Sequence, residues 1–507
     1  MSTPTPWQFL PGVQRDGTDF SSKAYNEYIW TRTQRGLPRK IGGYSLITDA
    51  LAGVPRQINQ FFKNDFIYFT VGEPSFLEAL TTDKTNVPSG IYDRTPGAGF
   101  VADPDNSWQF DTLYDSAGTE TVLAAHAAPN LASIASSTAR PYFIGDVTGT
   151  GALVQVVGSD VSGGIVCLQP YLFRYGDNII AWSDANLPDT ITGGDAGSAK
   201  VTGAKIVKGL PLRGNGSGPA GLFWSLDSLI RATYIGSTAI FAFDTISADI
   251  SVLSPNCIVE HDGIYYWAGV DRFQMFNGVV REIPNSMNFN WFFEGLNQQQ
   301  HEKVFVHKVP YYGEIWWCYP KDNSTECNWA VIFNTKDNTW YDTPLPADFR
   351  SCSVYAQQYH YPVMGSQTTR ASTKNCLWQH ETGVDEIYGV NALAIRAAFT
   401  TSNLSLTQLG QDRSLVLSIV EWDALQSGDI TISVTSQANP RAPIIDGGSY
   451  VLPEPTAAGL SAEEQVARFT VSGNNVVFTV ESNQIGGDFQ IGNVLCNLDT
   501  EERRVTS

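Results

Sequence analysis

The chain has 507 residues and a formal net charge of −19 at pH 7, with 42% hydrophobic and 12% aromatic residues. Charged residues make up 16%, below the roughly 25% typical of globular proteins. The length exceeds one ordinary hydrophobic core and predicts two or three domains, and the hydrophobic content excludes wholesale disorder.

The N-terminus MSTPTPWQFL carries neither a basic segment nor an apolar run, so no secretory signal is expected. No stretch of about 20 apolar residues is present, which argues against a membrane span. The seven cysteines form no CxxC pair, so we expect buried thiols in a reducing compartment rather than a disulfide framework or a zinc site.

Residues 1–44 are predicted to form an extended N-terminal arm, because proline and glycine recur through it. Within the arm, Ser21–Arg32 is the segment predicted to form a short helix. The arm is basic, with six Lys or Arg residues against three acidic ones, in an otherwise acidic chain.

Residues 45–385 contain short β-like patterns about 8–12 residues apart, separated by turn signals. This spacing indicates an all-β sandwich, barrel or propeller. The segments, all apolar or aromatic on alternate positions, are Phe66–Val71, Thr121–Ala125, Gly151–Val157, Gly164–Leu168, Tyr171–Tyr175, Asn178–Ser183, Leu222–Ser225, Ala232–Tyr234, Ala239–Phe243, Val304–Val309, Glu314–Tyr319, Ala330–Asn334 and Trp340–Asp342.

The most informative segment is Val259–Asn285, VEHDGIYYWAGVDRFQMFNGVVREIPN. It reads as strand, turn, aromatic strand, Asn277-Gly278 turn and strand, which is typical of one propeller blade and also of any antiparallel meander. Aromatic pairs late in a strand recur at Phe223-Trp224, Trp316-Trp317 and Trp340-Tyr341, where they would pack between neighbouring sheets.

Two further regions stand apart. Asn288–Gln300 is predicted to form a short helix with Trp291, Phe292 and Leu296 on one face. Residues 386–507 alternate in β-like patterns joined by Pro- and Gly-rich connections, which predicts a separate β-sandwich-like domain.

Motifs for known cofactors and metals are incomplete. His301-Glu302 begins an HExxH motif, but Phe305 occupies the position of the second histidine. Gly214-x-Gly216-x-Gly218 precedes a strand pattern rather than a helix and lacks a phosphate-binding lysine. The segment from Asp146 to Gly151 lacks the later ligands of a calcium loop. No cofactor and no metal is therefore predicted.

Asp271 and Arg272 form an acid–base neighbour pair in the GVDRF turn. An aspartate there could serve a propeller glycosidase, which needs paired carboxylates. We favour a structural role, in which Asp271 caps the turn and Arg272 pairs with a neighbouring blade or subunit.

The segment Val259–Asn285 resembles the tail nozzle (hub) proteins of short-tailed bacteriophages, also called packaged-DNA stabilisation proteins. The same family is matched, in the same order, by the blocks Pro11–Tyr44, Lys205–Gly236, Glu314–Pro320, Glu326–Thr343 and Glu481–Gly492. The resemblance covers most of the chain.

The resemblance implies a structural, non-enzymatic virion protein in the phage tail, assembled in the host cytoplasm. It implies a homohexameric ring below adaptor (head-to-tail connector) proteins, with tail fibres, tailspikes and a tail needle as further partners. Packaged double-stranded DNA would be retained by the ring and pass through it during ejection without specific binding. The basic arm would touch the neighbouring component through Arg32, Arg35, Arg39 or Lys40.

Together these observations predict an all-β chain: a six-bladed β-propeller over 45–385, an N-terminal arm over 1–44 and a β-sandwich-like domain over 386–507. The alternative function is a β-propeller enzyme acting on polysaccharide, or a lectin-like receptor-binding module. That alternative requires paired carboxylates in a central pocket and an aromatic platform for sugar.

Overall fold

The computed structural model describes residues 3–18, 20, 22–83, 88–97, 100, 107–114, 121–128, 140–161, 163–213, 218–346, 349–357, 360–367, 374–405, 415–439, 441–455, 466–473 and 475–500. Over these residues the fold is all-β, as predicted. The described helical segments are α1 (Phe289–Gly295) and a following 3₁₀ segment, Gln298–Lys303, and they confirm the helix predicted there with a break in its middle. None of the described helices has the length and apolar character needed to cross a membrane.

The N-terminal arm is built of six short strands: β1 (Thr3–Trp7), β2 (Leu10–Val13), β3 (Ala24–Tyr25), β4 (Glu27–Ile29), β5 (Thr31–Gln34) and β6 (Leu37–Lys40). The helix predicted over Ser21–Arg32 is wrong, since β3, β4 and the start of β5 occupy it. Strands β5 and β6 form a hairpin whose turn, Arg35-Gly36, has positive φ at both residues, the backbone of a tight two-residue β-turn.

Seven sheets follow in the described residues, numbered here as blades in chain order. The first six are four-stranded and antiparallel and hydrogen bond their strands in sequence order, and the seventh has six strands, one of them from earlier in the chain. Blades one to three contain β8 (Gln57–Lys63), β9 (Phe66–Gly72), β10 (Leu77–Thr82) and β11 (Pro88–Asp93); β12 (Ser107–Tyr114), β13 (Thr121–Ala128), β14 (Arg140–Asp146) and β15 (Val154–Val161); and β16 (Gly164–Leu168), β17 (Tyr171–Gly176), β18 (Ile179–Trp182) and β19 (Gly197–Lys200).

The later blades continue the pattern. Blades four to six contain β20 (Ile206–Pro211), β21 (Ala220–Ser225), β22 (Leu229–Tyr234) and β23 (Phe241–Ser247); β24 (Ile258–His261), β25 (Ile264–Ala268), β26 (Phe273–Phe276) and β27 (Val280–Glu282); and β28 (Phe305–Val309), β29 (Glu314–Tyr319), β30 (Trp329–Asn334) and β31 (Thr339–Pro344). Blade seven contains β32 (Arg350–Ala356), β33 (Tyr361–Ser366) and β34 (Asn375–His380), with β7 (Tyr44–Leu51) as its fourth strand.

The first strand of each blade lies innermost, and β32 lies beside β8, so the last blade contacts the first and closes the ring. Strand β7 precedes blade one in the chain, but it pairs with β34 and completes blade seven. The two ends of the propeller sequence therefore meet in one blade and hold the ring closed. The propeller is confirmed, but the expected six blades are seven over the described residues. The seventh was missed because its outer strand comes from the other end of the propeller sequence, so no contiguous repeat encodes it.

Aromatic side chains fill the spaces between blades, as the recurring pairs predict. Trp224 of blade four meets Trp267 of blade five edge to face at a ring-centroid distance of 5.8 Å. Trp108 of blade two packs on Gly72 of blade one, where an added Cβ would lie 2.3 Å from the indole ring. A glycine is required there by this close approach, since interiors have no room for an extra methyl group.

The C-terminal sandwich begins beyond the predicted boundary, because β35 (Glu386–Tyr388) and β36 (Asn391–Leu393) extend blade seven at its outer edge. Its strands are β37 (Ala397–Thr400), β38 (Leu404–Ser405), β39 (Leu415–Ser427), β40 (Ile430–Gln437), β41 (Ile445–Leu452), β42 (Val466–Gly473), β43 (Asn475–Ser482) and β44 (Asp488–Thr500).

The arm completes both sheets of this sandwich. Strands β1 and β6 pair with β44, and β4 pairs with β37. The arm is therefore an integral part of the sandwich and not a free extension, because its strand edges are satisfied by partners more than 350 residues away. All seven cysteines are buried free thiols.

Candidate functional site

A polar channel at the propeller axis is our candidate site within the part of the chain that the structure describes. Its cavity of about 390 Å³ is lined by residues of blades one, four, five, six and seven, most of them on the inner strands. The lining residues are Gln57, Lys208, Leu210, Pro211, Arg213, Asn256, Ile258, Val259, Glu260, Tyr265, Phe305, Val306, His307, Lys308, Ser353, Val354 and Tyr355.

One hydrogen bond crosses the axis. Asn256 Nδ2, just before β24 of blade five, donates to Ser107 Oγ at the start of β12 in blade two, at 3.0 Å. The backbone N–H of Val306 in blade six donates to Asn256 O at 2.8 Å. Blades two and five are not neighbours, so these two hydrogen bonds connect three blades through Asn256. They narrow the channel at the face of the propeller where the inner strands begin.

The opposite end widens into an outer cavity of about 660 Å³. We call Arg213, Glu260, Lys308 and Tyr355 the mouth, because these four residues line both cavities. His261, Asp262 and His360 line the outer cavity only.

The β24–β25 hairpin positions the acidic side of the mouth. Its turn residues, Asp262 and Gly263, have φ values of 52° and 78°, the backbone that an Asp-Gly turn adopts readily. The N–H of Gly263 donates to Glu260 Oε1 at 2.8 Å and so fixes the carboxylate against its own turn. Burial lowers the pKa of His261, which keeps its imidazole neutral at pH 7.

Two cations flank the Glu260 carboxylate. Its Oε2 lies 3.5 Å from Arg213 Nε and 3.7 Å from Lys308 Nζ. Lys308 Nζ also donates to the backbone oxygen of Glu260 at 2.6 Å. The mouth thus places donors on blades four and six around an acceptor on blade five.

Further inside, Lys208 lines the channel from the middle of β20. Burial lowers the pKa of Lys208 to about 8, opposed by the charges of Asp111 and Cys257. Burial likewise raises the pKa of Asp111 to about 6, against hydrogen bonds from the N–H groups of Cys167 and Thr112. Both shifts have the direction expected of charges removed from water.

Neutral groups complete the wall. His307 Nδ1 lies 2.9 Å from Ser353 Oγ, and burial, with a smaller effect of Arg32, lowers the pKa of His307 to about 3. The imidazole is therefore uncharged. The half-buried ring of Tyr355 forms one side of the mouth. Uncharged polar groups and one aromatic face thus surround the charged cluster.

The four predicted assembly residues lie elsewhere, on the arm. Arg32 is fully buried, where its Nε lies 3.0 Å from Glu314 Oε1, its Nη2 pairs with Glu381, and its guanidinium stacks 3.7 Å from the Tyr312 ring centroid. Burial would lower the pKa of Arg32, but the carboxylates of Glu314 and Glu381 outweigh it and raise it.

Lys40 is also buried, and its Nζ donates to Gly487 O at 2.6 Å. Arg32 and Lys40 are therefore engaged in internal contacts of this chain, and their predicted contact with another component stays a prediction. Arg35 is exposed in its turn, while Arg39 is half-buried and donates to Gln34 Oε1 at 2.8 Å.

Asp271 and Arg272 pair with one another, with Arg272 Nη2 2.8 Å from Asp271 Oδ2, and Ser251 Oγ donates to Asp271 at 3.4 Å. They follow β25, so in an antiparallel blade they lie on the face opposite the mouth, which follows β24. They are not part of the channel. Of the motif glycines, 214 and 216 lie outside the described residues. No group of His, Cys, Asp or Glu suited to hold a metal occurs among the described residues.

Comparisons with known proteins bear on function. No family model matches the chain, and no curated protein matches it. Among solved structures, one that matches is an exo-β-1,3-galactanase from Phanerochaete chrysosporium, with 11% identity over 90% of this chain and 100% of that one, and a TM-score of 0.27.

The comparisons run against the functional expectation. The solved structure is that of a galactanase, which accords with the polysaccharide-acting alternative and not with the expected non-enzymatic nozzle. The likeness is too low to transfer any residue or mechanism. The resemblance itself, the hexamer, the connector partners and the virion location stay predictions that none of these comparisons tests.

Proposed function

We propose that this chain is a carbohydrate-acting β-propeller that takes one end of a saccharide chain into its central channel through the mouth. The observation that carries the proposal is the mouth itself, where donors, an acceptor carboxylate and an aromatic ring from four blades converge on one opening. Sugars present many hydroxyl groups and apolar C–H faces, and such surfaces are matched by polar side chains beside an aromatic ring.

The dimensions support this use. Small-molecule sites are clefts of about 300–1,000 Å³ with a few placed polar groups. The inner cavity of about 390 Å³ suits one or two terminal sugar units, and the outer cavity of about 660 Å³ suits the units that follow. Because Asn256 narrows the inner end, the channel favours a chain terminus over an internal segment.

Hydrolysis of a glycosidic bond needs two carboxyl groups that flank it. Among the described residues that line the two cavities, Glu260 and Asp262 are the carboxylates, two positions apart on one hairpin. We assign any bond-breaking step to this pair. Glu260, between two cations, suits the role of nucleophile or base, and Asp262 faces the solvent at the outer cavity.

The test is a panel of oligosaccharides of defined linkage, with binding followed by calorimetry and products by chromatography. We expect at least one member to bind and to lose terminal units, and Tyr355→Ala to weaken its binding. A folded protein that binds no member of a broad panel would refute the proposal.

A further inference from the structure

The lining of the channel is net positive, whereas the whole chain is net negative. The protein carries 51 acidic against 32 basic residues. Among the described residues that line the inner channel, the cations are Lys208, Arg213 and Lys308, and the carboxylate is Glu260. The difference, three minus one, leaves two uncompensated positive charges inside an acidic protein.

The deepest of these charges is the least compensated. Arg213 and Lys308 share Glu260, at 3.5 and 3.7 Å. Lys208 forms no ion pair with a carboxylate of the described residues, and Asp111 acts on it only at longer range. Lys208 lies three residues before Pro211 on β20, and Pro211 is near the mouth. On an extended strand this places Lys208 roughly 10 Å from Pro211, further into the channel.

We propose that the channel selects an acidic saccharide, whose terminal sugar carries a carboxylate that binds at Lys208 while the following unit lies between Arg213 and Lys308. The inference rests on the proposed function and adds the class of substrate. A carboxylate supplies the counter-charge that the lining lacks, and a charge-assisted hydrogen bond in a partly desolvated site is about twice as strong as a neutral one.

A neutral saccharide would leave the Lys208 ammonium desolvated and unpaired, a cost that an acidic one removes. The cavity also argues against duplex DNA as the occupant. A volume of about 390 Å³ suits one or two sugar units, and DNA affinity comes from many phosphate contacts spread over a surface.

The experiment compares acidic oligosaccharides (fragments of oligogalacturonate, alginate and hyaluronan) with the same fragments after carboxyl reduction, which converts each uronic acid to its neutral sugar. We expect the best acidic fragment to bind at least about tenfold more tightly than its reduced form. Equal or tighter binding of the reduced form overturns the acidic preference but leaves the proposed function standing. Binding of neither form refutes both.

Lys208→Met keeps the apolar stem and removes the charge, and we expect it to bring the acidic-to-neutral affinity ratio close to one. Lys200→Met, on the exposed outer strand of blade three, is the matched control and should keep the ratio. An unchanged ratio in Lys208→Met places the carboxylate elsewhere and overturns the proposal.

A measurement on the unaltered protein guards against a variant that misfolds. The groups that face Lys208 are Asp111 on β12, Cys257 before β24 and, at the mouth, the Glu260 cluster. Bound carboxylate favours protonated Lys208, so affinity for the acidic fragment should fall as pH rises through about 8 and should weaken with added salt. Affinity that is flat from pH 7 to 9.5, or tight binding of duplex DNA in place of any saccharide, contradicts the proposal.

Discussion

Two clusters of charged side chains share the sixth blade and differ in how their charges are compensated. At the junction of arm and propeller, Glu314 is fully buried, accepts from Trp316 Nε1 at 2.8 Å and Tyr341 Oη at 2.6 Å, and lies 3.0 Å from Arg32 Nε. At the mouth, Arg213 is largely exposed and its contact with Glu260 is longer.

This difference distinguishes an ion pair that holds the fold from one that is available to a ligand. A buried ion pair with short contacts holds two elements in one arrangement, and removing one partner strands the other in a desolvated site. A longer, solvent-exposed ion pair contributes little to stability, and either of its side chains can exchange its partner for a ligand. Arg32 therefore belongs to folding and Arg213 to binding, although both are arginine–glutamate pairs.

The largest effect is expected at the junction. Arg32→Met leaves Glu314 and Glu381 without their cation, and we expect a loss of about 3–5 kcal/mol in the free energy of unfolding, measured with urea. Arg231→Met, which removes an exposed pair with Asp244, should cost less than about 1 kcal/mol. Equal costs for the two variants would show that the junction is no more structural than the surface.

The next effect is expected at the mouth. Glu260→Gln keeps the shape of the side chain and its contact with Gly263, so stability should change by less than about 1 kcal/mol. Turnover of the best saccharide should fall by about 10²–10⁴-fold, the range for loss of an acid–base group. Asp244→Asn, outside the channel, is the control. A Glu260→Gln protein with full turnover would remove the carboxylate pair from the mechanism.

An intermediate effect concerns pH. His307 is buried neutral with a pKa lowered to about 3, whereas an unfolded histidine titrates near 6.5. Between these values the unfolded chain binds the extra proton, so this contribution to stability is present above pH 6.5 and is lost as pH falls towards 3.

His307→Gln should remove about 3 kcal/mol of the stability difference between pH 7 and pH 4, followed by urea unfolding at each pH. His360→Gln, at an exposed position of the outer cavity, should leave the pH profile unchanged. A His307→Gln profile with the same slope as that of the parent would mean that His307 is hydrated rather than buried.

Local features of the fold were predictable from sequence. Residues 259–285 fold as a strand meander with the predicted Asn277-Gly278 turn, where Gly278 has a φ of 106°, although β24 to β27 are four strands and three were predicted. Glu314–Tyr319 is a strand with the predicted bounds. The helix in the arm was mispredicted because strands of the arm pair with β37 and β44. A contact between residues so far apart in the sequence leaves no local pattern. Burial of Arg32 and Lys40 follows from that pairing.

The site was harder to predict because its residues come from five blades. The Asp262-Gly263 pair is a turn signal that the sequence analysis did not use, and it marks the hairpin that carries Glu260. Lys208, Lys308 and Tyr355 lie in ordinary strand patterns. Their convergence depends on ring closure, including the β32–β8 contact, which no single segment encodes.

The smallest effect tests the aromatic side of the mouth. Tyr355 contributes a ring face to both cavities, and stacking of a ring on an apolar surface contributes about 0.5–1.5 kcal/mol beyond burial. Tyr355→Ala should therefore raise the dissociation constant of the best saccharide about tenfold, measured by calorimetry, with the fold intact by circular dichroism. Tyr92→Ala removes an exposed ring from β11, the outer strand of blade one, and should leave affinity unchanged. If the two variants bound the saccharide with the same affinity, the Tyr355 ring would play no part in recognition. The mouth would then recognise its ligand through charge alone.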